Sequence, residues 1–70
     1  MAYYTPELIS IMRAALDAVM MRVPADHATP AIKAQLAEII LKAAAQGVTT
    51  YDGLLSVAAS QIQTVLALFN

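Results

Sequence analysis

Thr29-Pro30-Ala31-Ile32-Lys33-Ala34-Gln35-Leu36-Ala37-Glu38-Ile39-Ile40-Leu41-Lys42-Ala43-Ala44-Ala45-Gln46-Gly47 contains both ends of one helix and the face between them. Thr29 supplies a side-chain oxygen for the first free amides, and Pro30 loses nothing at the first helical position, where its missing N–H would have had no partner. At 100° per residue Ile32, Leu36, Ile39, Ile40 and Ala43 share one face, while Gln35, Glu38, Lys42 and Gln46 share another. Glu38 stands four residues before Lys42, the favoured order for an ion pair along a helix. Gly47 is placed to close the helix in the left-handed conformation. A capped amphipathic helix in the middle of a short chain sets the fold class, and the flanks repeat its grammar.

Upstream, Thr5-Pro6-Glu7 is the same cap-plus-proline signal with an acid added near the positive helix end. Leu8, Ile11, Met12, Ala15, Leu16, Val19, Met20 and Val23 then follow the i, i+3, i+4 template until Pro24 stops the helix. Downstream, Val48-Thr49 leads to Thr50, with Asp52 in the first turn of a third helix and Gly53 weakening that turn. Leu54, Leu55, Ala58, Ala59, Ile62, Val65, Leu66 and Phe69 lie on one side, and Val57 and Leu68 widen the apolar arc to about 200°. That is twice what a one-sided surface helix needs, so this helix should touch more than two neighbours. The pattern predicts an all-α fold: a compact three-helix bundle over residues 6–22, 30–46 and 51–69, one domain spanning residues 1–70, with short connections favouring antiparallel neighbours.

Composition narrows the function. The chain has 70 residues, 60% of them apolar and only 13% charged, with no cysteine and a formal net charge of −1. A fold of this length removes only about 60% of the unfolded chain's surface from water, so stability is marginal and a partner or self-contact is expected. Without cysteine there is no disulfide staple and no thiolate metal site. The start of the chain lacks a basic n-region, and Glu7 and Asp17 interrupt its apolar run, which argues against a secretory signal and for a cytoplasmic protein. The uncharged stretch from Gly53 onward contains Ser56, Ser60, Gln61, Gln63 and Thr64, too many polar residues for a membrane span.

No constellation for catalysis is present. The only imidazole, His27, sits beside Asp26 in a short connection; the pair could respond to pH or form half a metal site, but a solvated turn that satisfies helix ends explains both residues. Glu7, Asp17, Asp26, Glu38 and Asp52 are scattered, each with an ordinary helix or turn role, and Arg13 precedes Asp17 by four residues in the less favoured order. Gly47 and Gly53 fall in no phosphate-binding pattern. No enzyme, cofactor or metal is therefore expected. Ala43-x-x-x-Gly47-Val48 before a further helix has the cadence of a helix-turn-helix, the least favoured alternative. Its would-be recognition helix has neither Lys nor Arg, and Gly53 replaces an apolar hinge residue. Neither nucleic acid nor membrane is expected as a partner.

Met12, Met20 and Met21 suit an adaptable peptide groove, although core filling is the commoner use. Tyr3, Tyr4 and Tyr51 stand at helix entries, where a ring covers a bundle end with its hydroxyl in water. Ala37-Glu38-Ile39-Ile40-Leu41-Lys42-Ala43-Ala44-Ala45-Gln46-Gly47, with the preceding Thr29-Pro30, resembles short uncharacterised all-helical proteins of alphaproteobacterial genomes. That resemblance implies a bacterial cytoplasmic protein and brings no functional residues.

What remains is surplus apolar surface. Ile9 and Met21 fall outside the main stripe of the first helix, Leu41 lies away from the core face of the second, and the third is apolar over more than half its circumference. Patches of this kind mark contact sites. The expectation is a non-catalytic interaction module that forms a homodimer through apolar helix faces, led by the third helix with Leu55, Ile62, Leu66 and Phe69 as anchors. The alternative is a small adaptor or regulator whose groove takes an amphipathic helix from another protein.

Overall fold

A computed structural model describes residues 4–69; the expected place of Tyr3 at a helix entry lies outside the described residues. The two Thr-Pro signals act as written. Thr5 Oγ1 accepts the Leu8 N–H at 3.1 Å and opens α1 (Pro6–Met20). Thr29 Oγ1 accepts the Ile32 N–H at 3.3 Å and opens α2 (Pro30–Ala45). Thr50 Oγ1 accepts the Gly53 N–H at 3.1 Å and opens α3 (Tyr51–Ser60), which a short α4 (Ile62–Leu68) follows. Each threonine satisfies an amide that would otherwise have no partner. The expected all-α class holds, with no strand among the described residues.

The end of α2 is set by Gly47, at φ 102°. Its N–H donates to Ala44 O and the Val48 N–H reaches back to Ala43 O, both at about 3 Å. This pair of bonds is a Schellman closure, and the glycine's lack of a Cβ makes the left-handed step inexpensive. α1 ends two residues before the expected boundary: the amides of Arg22 and Val23 turn to i−3 carbonyls as the chain tightens toward Pro24. Ala25–His27 then form one 3₁₀ turn.

The expectation of three helices is corrected here. Residues 51–69 form two helices, separated at Gln61. In an uninterrupted α-helix the Gln61 N–H would donate to Val57 O. Instead the Ser60 hydroxyl donates to Val57 O at 2.7 Å, and the Gln61 N–H donates to Ala58 O at 3.1 Å. A serine that bonds back to a nearby carbonyl competes with the helical ladder and tightens it locally. Helical periodicity puts Ser60 on the polar face; the bond to its own backbone is a second role that periodicity does not show.

α1 and α2 are antiparallel neighbours, and α3 packs on both of them while α4 closes against α2. Ala15, Val19, Leu36, Leu54 and Ala58 meet at the centre with no water access to speak of. Among the described residues no polar or charged side chain is buried and no buried side-chain polar atom lacks a partner. The wide apolar arc of the third segment is thus used mostly inward, against α1 and α2.

Candidate functional site

The sequence marks Ile9 and Leu41 as apolar residues off their helices' core faces, and the structure puts them together. They stand on opposite banks of a groove between α1 and α2, with a volume of about 380 Å³. Ile9 is 41% and Leu41 47% exposed. Their spacing explains the convergence: Ile9, Arg13 and Leu16 are three to four residues apart on α1, as are Ala37 and Leu41 on α2, so each set forms one ridge. Met12 and Ile40, both core residues, form the floor with Ala37. Ala37 gives the groove its depth, because a side chain of one carbon leaves the space beside Leu41 unfilled.

Tyr4 closes one end. Its ring lines the groove and its hydroxyl donates to the Leu41 carbonyl at 3.5 Å, a long contact tying the start of α1 to the last turns of α2. The position at a helix entry matches the sequence reading; the wall it forms does not follow from sequence, because it depends on α2 lying antiparallel beside it. Arg13 is the single charged residue in the lining. The acid–cation approaches among the described residues are Glu38–Lys42 at 3.9 Å and Asp26–His27 at 3.8 Å, so the expected Arg13–Asp17 pairing is not formed. Arg13 lines the groove with no acid partner among the described residues.

The four residues expected as interface anchors differ in exposure. Ile62 is 9% exposed and belongs to the chain's own core, so it has no side chain to offer a partner. Leu55 and Leu66 are half-buried and pack against that core. Phe69 is 50% exposed and stands beyond the end of α4, next to the exposed Leu68. Met21, also marked as surplus, is 86% exposed just past α1 and away from the groove lining.

No group of acids and histidines among the described residues could hold a metal ion. Asp26 and His27 lie in the exposed 3₁₀ turn, remote in sequence from both banks of the groove. No helix of the described residues is long and apolar enough to cross a membrane. α3 and α4 carry no Lys or Arg. What the groove offers chemically is an apolar trough with one cation on its α1 bank: a surface for shape and hydrophobic contact. Comparison of the chain with family models, with curated proteins and with solved structures returns no match.

Proposed function

We propose that the chain is a non-catalytic interaction module that forms a homodimer through the groove between α1 and α2. The observation that supports this reading is the convergence of Tyr4, Ile9 and Leu41, three large exposed apolar residues, around one trough. Scattered exposed apolar residues are ordinary on a protein surface; a contiguous set with a depression at its centre is a contact site. Helices of 15 and 16 residues side by side give a face about 24 Å long. The molecule is 18 Å across. Such a face falls short of the roughly 800 Å² per partner of standard stable interfaces, so the proposed dimer should be weak, with a dissociation constant on the order of 10 µM or above.

Sedimentation equilibrium tests the reading. At a few hundred micromolar, above that dissociation constant, the chain should approach twice its 7.4 kDa mass. Leu41→Glu should return it to the monomer with unchanged helicity, because Leu41 is exposed on its own chain. A wild-type chain that stays at 7.4 kDa throughout this range rejects self-association. The trough between two antiparallel helices is also the shape that receives an amphipathic helix, so the monomeric outcome would favour the adaptor reading.

A further inference from the structure

We infer that Met21 is a site of reversible oxidation: hydrogen peroxide converts its thioether to the sulfoxide ahead of Met12 and Met20, and the fold is left intact. This goes beyond the proposed self-association and does not rest on it. The chain has no cysteine, so no thiol competes for the oxidant and methionine is its most readily oxidised sulfur. Three methionines share α1 and its end, and the fold puts them in three environments. Met12 is 9% exposed and forms part of the groove floor. Met20 is half-buried and packs against the core. Met21, the C-cap of α1, is 86% exposed, more than any other large apolar residue described. One residue is a step of about 100° round the helix, which leaves Met20 on the flank of the core stripe and carries Met21 off it.

The chemistry makes access decisive. The thioether sulfur attacks one peroxide oxygen; the S–O bond forms as the O–O bond breaks, sulfur gives up two electrons, and the departing hydroxide leaves as water once the proton has passed to it. Methionine needs no ionisation to react, so the order of reaction follows how freely peroxide reaches each sulfur. The product is polar and chiral. At Met12 it would put an unpartnered oxygen into a core that holds no buried polar side chain among the described residues. At Met21 the added oxygen projects into water, and the N–H of that residue keeps its bond to Asp17 O at 3.3 Å. An exposed sulfoxide is also within reach of the reductases that return it to methionine, which makes the change reversible. Met21 is not in the groove lining, so its oxidation alters a surface point apart from the trough.

Peptide mapping tests this. The native chain is treated with dilute hydrogen peroxide, quenched and digested with trypsin; fragments 1–13 and 14–22 carry all four methionines, and tandem mass spectrometry separates Met12 from Met1 and Met21 from Met20. Met21 should take up oxygen at least about tenfold faster than Met12 and about threefold faster than Met20. In urea strong enough to unfold the chain the three rates should converge. The chain oxidised at Met21 should keep the helicity of the untreated chain by circular dichroism, and methionine sulfoxide reductases for both epimers should restore the thioether. Met21→Leu should leave Met12 and Met20 at their slow rates with helicity unchanged, because position 21 is exposed. Met12 or Met20 reacting as fast as Met21 in the folded chain overturns the assignment. So does a rate difference that survives in urea, which would trace the order to local sequence instead of the fold, and so does a loss of helicity on oxidation at Met21 alone.

Discussion

The α1–α2 half and the α3–α4 half use their apolar residues differently: the first leaves some exposed along its helices, the second only at its two ends, at Tyr51 and at Leu68 and Phe69. α1 and α2 have 15 and 16 residues, proline-started and threonine-capped, and their amphipathic stripes are narrow enough that Ile9 and Leu41 are left outside. α3 and α4 together are the most apolar text in the chain, yet Leu54, Ala58, Ile62 and Val65 are buried and Leu55, Val57, Ala59 and Leu66 lean on the core. The width of an apolar arc therefore does not measure the surface left over. α3 touches both α1 and α2, and its wide arc is spent on them; α2 touches α1, α3 and α4, and the one leucine off its core face is enough to make a patch.

The largest effects should separate the halves. Leu54→Ala removes a fully buried side chain at the centre of the bundle and should cost about 3 kcal/mol of stability, as large-to-small changes in a packed core do. For a chain this small that is a large fraction of the total, and thermal unfolding by circular dichroism should show the midpoint falling by more than 10 °C, on the basis of roughly 4–8 °C per kcal/mol. Leu41→Ala, the same chemical change on an exposed site, should shift the midpoint by only a few degrees when measured dilute, below about 1 µM, where the proposed dimer is dissociated. Equal losses for the two variants would erase the distinction between core and patch.

Gly53 gives a smaller effect of less obvious sign. In a helix interior, replacing glycine by alanine normally gains about 1 kcal/mol. Here a Cβ would lie 2.8 Å from Thr50 Oγ1 and 2.9 Å from Val48 Cγ1. The threonine oxygen cannot retreat without losing the cap it makes to the Gly53 N–H. Gly53→Ala should therefore destabilise by about 1 kcal/mol instead of stabilising, the lost cap and the close contact together exceeding the propensity gain. Chemical denaturation with urea reads this directly, and a stabilised variant would show that the α2–α3 connection has slack. Gly53 looked in sequence like a weakness in the first turn; in the structure it is the residue that lets the capping threonine and Val48 approach.

Signals that act within one turn were legible in the sequence: the three capping threonines, the prolines at the first helical position, and Gly47 as the closing residue. The apolar positions left off their stripes, Ile9 and Leu41, were legible too, because helical periodicity alone shows which residues do not fit it. Their convergence into one groove was not, since it depends on how α1 and α2 are set side by side. The same applies to Tyr4, whose hydroxyl meets a carbonyl 37 residues away. Ile62 shows the converse: on a wheel it belongs equally to the inner or outer half of a wide arc, and packing against the other helices decides.

The break at Gln61 sets the smallest effect and bears on why the second half turns inward. The Ser60 hydroxyl donates to Val57 O, and the Gln61 amide makes an i−3 bond to Ala58 where α3 ends. Alanine at position 60 frees that carbonyl and removes the competitor, while raising helix propensity by roughly 0.5 kcal/mol. If the serine causes the break, Ser60→Ala should allow α3 and α4 to join. Amide exchange at Gln61 and Ile62 should then slow, with a small gain in helical ellipticity. The joined helix would carry Ile62 and Val65 round relative to α2, so packing resists the change and the net stability should move by no more than about 0.5 kcal/mol. An unchanged exchange rate at Gln61 would locate the cause in the packing of α4 on α2, leaving the serine bond a consequence of the bend.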